Sequence, residues 1–212
     1  MSTSDPFDLT DFPWPSNDDD LFDTSGPWTG HAVLDWQRDT VVGRMEGYRR
    51  AAEVLVEHVL QHRGDLDFLI YPIANCWRHY VELRLKSLLT ALRRFLDEPD
   101  GTVRGHDVLK LWREVQPRLA SAFPDEPPSD AANVGRVVQQ LHSADPDGQN
   151  FRYHRRTDGS LALTGIDRVD VRAWHGALLR VSNFLEGAAG RLSEYQELKD
   201  DLEREMRGDY GP

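Results

Sequence analysis

The stretch WRHYVELRLKSLLTALRRF, residues 77–95, decides the fold of this chain. Its apolar residues recur every three or four positions, which is the repeat of a helix with one buried face. The pattern predicts a helix from about 71 to 96, with Pro72 in its first turn and Pro99-Asp100-Gly101 after its end. The apolar positions of this helix are Ile73, Cys76, Trp77, Tyr80, Leu83, Leu85, Leu88, Leu89, Leu92 and Phe95.

Further segments carry the same helical repeat, over residues 32–62, 107–122, 130–141 and 169–207. Asp130 is expected to cap the helix that it begins. Residues 150–165 differ, because the segments FRYHRR and SLALTG flank an Asp-Gly pair, which is typical of a β-hairpin. The predicted fold class is therefore all-α, a helical bundle of about five helices with a small β-hairpin insertion.

Length and composition fit one medium-sized domain with tails, since the chain has 212 residues of which 39% are hydrophobic. Its apolar runs are only a few residues long, far short of the roughly 20 that a membrane span needs, so we expect no membrane contact. The N-terminal stretch MSTSDPFDLTDF has neither the basic nor the apolar region of a secretory signal, which favours a cytoplasmic protein. Arginine outnumbers lysine 22 to 3, as is typical of proteins from GC-rich bacterial genomes.

Sequence motifs for a bound metal or cofactor are missing. Cys76 is the single cysteine, which excludes a disulfide framework and a cysteine-based zinc site. The sequence has no G-x-G-x-x-G after a strand, no G-x-x-x-x-G-K-[ST], no H-E-x-x-H and no G-x-S-x-G. We therefore predict no cofactor and no metal.

Acidic residues are concentrated at the N-terminus. Residues 1–30 hold seven aspartates and no basic residue, whereas the other 182 residues carry 25 basic and 29 acidic residues. We predict an acidic disordered arm over 1–30, a single helical domain over 31–207 and a short tail over 208–212. The arm also carries aromatic residues, which either pack on the surface of the domain or dock on a basic groove, here or on a partner: Phe7, Phe12, Trp14, Phe22 and Trp28.

A row of alternating charge lies on the decisive helix. Arg78, Glu82 and Lys86 are spaced four residues apart and share one face, and His79 lies beside them. Three interpretations are open: an exposed ladder of ion pairs, a buried structural network, or a cleft in which a histidine beside a carboxylate binds a ligand or acts in catalysis.

Two other groups of polar residues are candidates for binding. His106 stands at the start of the third predicted helix, where it either packs structurally or binds. Arg152 and His154 lie with two aromatic residues on the first strand of the predicted hairpin. Such a strand either grips an anion or a nucleic-acid backbone, or is an exposed strand that aids solubility.

The stretches RHYVELRLKSLL, residues 78–89, and GHDVLKLW, residues 105–112, resemble the HEPN superfamily of helical-bundle domains. The resemblance covers about residues 45–205. It implies a bacterial defence or toxin–antitoxin type protein that is often dimeric. Many members are metal-independent ribonucleases, and others are non-catalytic partners of nucleotidyltransferases.

The ribonuclease signature of this superfamily is an arginine followed by a histidine after four to six residues. Arg168 with His175 and Arg136 with His142 match this spacing, although two to three matches are expected by chance. The resemblance implies that the histidine assists proton transfer from a ribose 2′-hydroxyl and that the arginine stabilises the charged phosphorane. Arg168 with His175, which we expect to open the last helix, and Arg78 with His79 are the catalytic candidates.

Two functions follow as hypotheses. The first is an RNA-directed, metal-independent endoribonuclease, with Glu82, Lys86, His106, Arg152 and His154 as binding residues. The second is a non-catalytic dimeric interaction or scaffold module, which acts on a protein partner. Both predict a homodimer, because the last helix carries more apolar residues than one bundle face needs.

Overall fold

A computed structural model describes residues 14–34, 40–99 and 101–208. The chain divides into two units, Met1–Arg38 and Asp39–Pro212. The predictions for residues 1–13 and for the tail over 209–212 lie outside the described residues.

The described part of the first unit consists of turns and one short 3-10 helix, Trp28–Gly30. Its aspartates form the turns, because Asp19, Asp20 and Asp23 each accept a hydrogen bond from a backbone N–H two or three residues away. The large apolar side chains of this segment are exposed: Trp14, Leu21, Phe22 and Trp28. Disorder of the arm stays a prediction.

The described residues of the second unit form a bundle of five α-helices, which confirms the predicted all-α class. They are α1 (Thr40–Gln61), α2 (Leu66–Phe95), α3 (Val108–Ala122), α4 (Pro128–Ala144) and α5 (Val171–Gly208). Helix α2 is central, since it packs against α1, α3 and α5. Its buried apolar residues form the middle of the core: Ile73, Trp77, Tyr80, Val81, Leu85, Leu88, Leu89 and Leu92.

Helices α2, α3 and α5 run in the same direction. The hydroxyl of Tyr80 in α2 contacts Ser182 in α5 at 2.7 Å, and Arg94, further along α2, pairs with Asp200 further along α5. Along α3 the order is the same, because Arg78 contacts the carbonyl of His106, before α3, and Arg93 pairs with Glu114 within α3. The connection between the parallel helices α2 and α3, residues 96–107, must therefore run back along α2. This return brings His106 to the middle of α2.

Three helix starts differ from the prediction. The first predicted helix, over 32–62, starts later, since residues 32–34 are not helical and α1 begins at Thr40. Helix α2 begins at Leu66, so Pro72 lies inside the helix instead of in its first turn; its exposed ring costs α2 one backbone hydrogen bond. Helix α4 begins at Pro128 after Pro127, and Asp130 lies in its first turn without capping it, because a proline already suits the first helical position.

The predicted β-hairpin over 150–165 is wrong. The segment contains one isolated antiparallel bridge, between Arg155 and Leu161, and no strand is present among the described residues. The reason is that turns interrupt both arms. The N–H groups of residues 152 and 153 both donate to the carbonyl of Gln149, and Leu163 has a φ of +54° in a further turn. Too few extended residues remain between these turns to form strands.

We predict that Gly135→Ala destabilises the bundle. A Cβ atom at Gly135 in α4 would lie 2.6 Å from Nε1 of Trp112, whose ring is buried in α3. Overpacking outweighs the better helix propensity of alanine, so we expect a net loss of about 1 to 2 kcal/mol in the free energy of unfolding. Urea unfolding measures this change.

Gly190→Ala is the matched control, because Gly190 lies inside α5 and a Cβ atom there meets nothing within 4 Å. This variant should gain up to about 1 kcal/mol. Equal changes in both variants would contradict close packing of α3 on α4.

Candidate functional site

The guanidinium of Arg78 lies at the meeting point of α2, α3 and α4. The Arg78 residue is 1% exposed, and Nη1 donates to Oε2 of Glu82 at 2.8 Å. Nε donates to the backbone carbonyl of Asp145 at 3.2 Å, and Nη2 donates to the carbonyl of His106. One side chain of α2 thus holds the segment before α3 and the end of α4.

Glu82 is the buried counter-ion of this network and is 2% exposed. Its Oε1 accepts a hydrogen bond from Nζ of Lys86 at 2.8 Å and lies 2.9 Å from Nδ1 of His106. The structure therefore brings Arg78, Glu82, Lys86 and His106 together. Of the three interpretations of the charged row, the buried network agrees with these contacts. A binding role for these residues stays a prediction.

The pKa of Glu82 lies below its ordinary value of 4.5. Burial raises the pKa of this carboxyl, but the hydrogen bonds from Lys86, His106 and Arg78 together outweigh burial. The carboxylate is therefore ionised at neutral pH, and the charge of Arg78 is compensated inside the protein.

Residues 145–150 form a tight loop against Arg78, which sequence reasoning missed. Oδ1 of the fully buried Asp145 accepts hydrogen bonds from the N–H groups of Gln149 and Asn150, at 2.8 and 2.9 Å. Gly148 has a φ of +79°, which favours glycine, and faces the guanidinium. The Asp-Pro-Asp-Gly sequence at 145–148 is the turn signal that predicts such a loop.

His79 lies half-buried beside this network, with its ring 4.4 Å from that of Tyr48 between centroids. Burial, together with the charges of Arg78, Lys86 and Arg152, holds its pKa below the ordinary 6.5, against the opposite effect of Glu82. The imidazole is therefore neutral at neutral pH.

Arg152 and His154 are exposed in the loop that replaces the predicted hairpin. Nε of Arg152 donates to the carbonyl of Gly148 at 2.9 Å, and its guanidinium lies 5.4 Å from the centroid of the Tyr153 ring. Arg152 thus lies on the same loop that covers Arg78, whereas His154 has no hydrogen bond from its ring among the described residues.

Arg168 and His175 are not joined by a polar contact in the described part of the chain. Arg168 is exposed and precedes α5, so it does not open that helix; Asp170 caps it by accepting from the N–H of Ala173 at 3.0 Å. The ring of His175 packs 5.4 Å from that of Trp77, and burial lowers its pKa. In the other match, Nδ1 of His142 lies 3.1 Å from Asp107 without forming a hydrogen bond.

A second feature of the structure is a stripe of exposed apolar side chains near the end of α5, the α5 seam, which the sequence reasoning did not single out. It consists of Tyr195, Leu198, Leu202 and Met206, which are 41%, 59%, 59% and 61% exposed. At roughly 100° per residue these four side chains fall within an arc of about 80°. They therefore form one continuous face, whose signal in the sequence is the 3-4-4 spacing.

The described residues show neither a metal-binding cluster nor a membrane-spanning helix. No group of three or more His, Cys, Asp or Glu side chains there is arranged to hold a metal ion. No helix in those ranges is long and apolar enough to cross a bilayer. Comparisons of the chain with protein families, with curated proteins and with solved structures give no match.

We predict that Glu82→Ala destabilises the protein far more than loss of an exposed carboxylate. Removal of Glu82 leaves the buried charge of Arg78 uncompensated, which costs about 3 kcal/mol. Thermal unfolding should show a melting temperature lower by about 6 to 12 °C. Glu57→Ala, on the exposed face of α1, is the control and should change stability by less than about 0.5 kcal/mol. A Glu82→Ala variant that melts like Glu57→Ala would show that the network contributes nothing.

Comparing the stability of wild type and Glu82→Gln as a function of pH measures how much the charge of Glu82 contributes to the free energy of unfolding. Because the folded pKa of Glu82 is lowered, its ionised form stabilises the protein fully above the unfolded value of 4.5, and this stabilisation is lost as pH falls through the folded pKa. The difference in unfolding free energy between wild type and Glu82→Gln should therefore shrink on acidification. A constant difference from neutral pH to about pH 3 would contradict this prediction.

Proposed function

We propose that this protein is a non-catalytic helical interaction module that forms a dimer through the α5 seam. The observation that carries the proposal is the seam itself. A monomer gains nothing from three large aliphatic side chains exposed on consecutive turns, whereas a helix packed on them removes this surface from water.

The polar network supports a structural role over a catalytic one. All three nitrogens of the Arg78 guanidinium already donate to acceptors of the chain, and Glu82 compensates its charge. A phosphate would have to replace these internal partners, which would leave Glu82 buried and uncompensated. Arg78 is therefore better suited to holding the bundle together than to stabilising a reacting phosphate.

A second copy of the chain is the proposed partner. The seam covers residues 195–206, about 17 Å of helix at 1.5 Å per residue, which is enough for two or three layers of side chains. A two-fold axis across this face would make the interface self-complementary, so that apolar residues of one copy meet apolar residues of the other. The surrounding side chains of α5 are charged, so the seam has the apolar centre and polar rim of an interface.

RNA cleavage is the second candidate function, as part of a bacterial defence or toxin–antitoxin system. The resemblance to HEPN domains supports it, and so does the neutral His79, since a neutral imidazole can accept a proton from a 2′-hydroxyl. Its neighbour Arg152 is exposed and could meet a phosphate.

If this second function holds, the wild type cleaves a labelled single-stranded RNA without added metal and His79→Ala does not. Arg168→Ala with His175→Ala tests the other candidate pair in the same gel assay, and the melting temperature of each variant verifies folding. Intact RNA after prolonged incubation with the wild type would exclude cleavage of that substrate and favour the interaction module.

For the interaction module, we predict that the double variant Leu198→Asp and Leu202→Asp is monomeric. Two aspartates at the centre of the seam would bring like charges together at low dielectric, so association should weaken at least about 100-fold. Sedimentation velocity of wild type and variant over a range of concentrations measures this change.

Val54→Asp is the matched control, because Val54 is an exposed apolar residue of α1, 45% exposed. This variant should associate like the wild type. A wild type that stays monomeric at about 100 µM, or a seam variant that dimerises as well as the wild type, would refute dimerisation through α5.

A further inference from the structure

A groove runs between α4 and α5, separate from the polar network. It consists of two adjoining cavities of about 480 and 540 Å³, and Asp130 and Phe184 line both. Along α5 the groove extends from Ala177 to Arg191, which is roughly 21 Å and would hold about six residues of an extended peptide.

One end of the groove is apolar. Phe123, Pro124, Pro127 and Phe184 line this end. The guanidinium of Arg191 lies 4.7 Å from the centroid of the Phe123 ring and pairs with Glu126 at the rim. An aromatic side chain entering here would meet proline and phenylalanine surfaces, with a paired charge at the edge.

The other end is basic. Arg136 of α4 and Arg180 of α5 line it, and both side chains are exposed. Neither arginine forms a hydrogen bond or an ion pair with another of the residues that the structure describes. Two guanidinium groups without acidic partners, facing one groove, favour a carboxylate ligand, since each can bind a carboxylate through two parallel hydrogen bonds.

We propose that the groove between α4 and α5 binds an acidic peptide segment that carries an aromatic residue, supplied by a partner protein. The carboxylates pair with Arg136 and Arg180, and the aromatic ring fills the apolar end near Phe123. The proposal does not depend on dimerisation, because the groove is lined by residues 177–191 of α5. Tyr195 of the seam contacts its edge, with its ring centroid 5.6 Å from that of Phe123, but Leu198 and Leu202 do not line it. Single-stranded RNA fits less well, because it carries a phosphate at every nucleotide and some of them would lie beside Glu126 or Asp130, whereas a peptide can place its carboxylates beside Arg136 and Arg180 alone.

A labelled peptide with the sequence of residues 14–28, WPSNDDDLFDTSGPW, is a suitable probe, because it has four aspartates and three aromatic residues. The receptor is the full chain with all seven aspartates of residues 1–30 changed to asparagine, so that it presents no equivalent acidic sequence. Fluorescence anisotropy should show saturable binding with a Kd of about 1 to 100 µM, weaker as NaCl is raised from about 50 to about 300 mM.

Variants of this receptor locate the site. Arg136→Ala with Arg180→Ala should weaken binding at least about tenfold. The matched control removes two other exposed arginines, Arg104→Ala with Arg113→Ala, and should leave the affinity within about twofold. A probe peptide with its three aromatic residues changed to alanine should also bind at least about tenfold more weakly, because the apolar end is then empty.

Three results would overturn the proposal. They are absence of binding up to about 200 µM peptide, equal weakening by both arginine pairs, and displacement of the peptide by equimolar single-stranded RNA or by a peptide of residues 192–208. The seam variant Leu198→Asp with Leu202→Asp is included as a further receptor. If this receptor binds the probe with the same affinity as the receptor with an intact seam, binding in the groove is independent of dimerisation. A failure of one proposal can then be told apart from a failure of the other.

Discussion

The buried guanidinium of Arg78 is the interaction on which the rest of the structure depends. Parallel packing of α3 on α2 requires the chain to return along α2 through an irregular segment, and such a segment carries backbone carbonyls that need donors. Arg78 supplies them to His106 and Asp145 at once. Because the donor is charged, the core must also bury a carboxylate, and Glu82, one turn further along the same helix, provides it.

This arrangement explains why the charged row of α2 resembles a catalytic site in sequence and serves as a structural link in the fold. Arginine, histidine and glutamate are the residue types of acid–base chemistry, but their chemistry depends on which atoms are already bonded. Three guanidinium nitrogens and both carboxylate oxygens are used internally here. His79, which does not take part in these bonds, is the member of the group whose ring chemistry is still available for the ribonuclease hypothesis.

The sequence predicts the helices well because their apolar repeats are long, and it predicts Asp107 at the start of α3, where its side chain caps the helix. The hairpin was wrong because an Asp-Gly signal reports a turn without reporting whether the flanking residues pair over any length. The pairing of Arg78 with Glu82 follows from their spacing, but its other two partners were not predictable, since both are backbone carbonyls, at 28 and 67 residues of separation, and carbonyls carry no sequence signal. The spacing of the apolar residues in the α5 seam indicates that they share one face of the helix. Whether that face is exposed depends on where the neighbouring helices end, which the spacing does not report.

Helix α5 links both proposed surfaces, and its attachment to α2 determines how they relate. One face of α5 carries Phe184 and Ala188 of the groove together with Tyr195 and Leu198 of the seam. Successive residues of this set are four, seven and three positions apart, and such spacings place side chains on the same side of a helix. The opposite face is fixed to α2 by the hydroxyl of Tyr80, which bonds Ser182 and Glu186 at 2.7 Å each. With that side of α5 held by hydrogen bonds to α2, the helix cannot rotate to bury the seam without breaking them. Dimerisation as proposed above would cover the seam and leave these bonds intact, which is the physical argument for an interface on α5 rather than a rearrangement within the bundle.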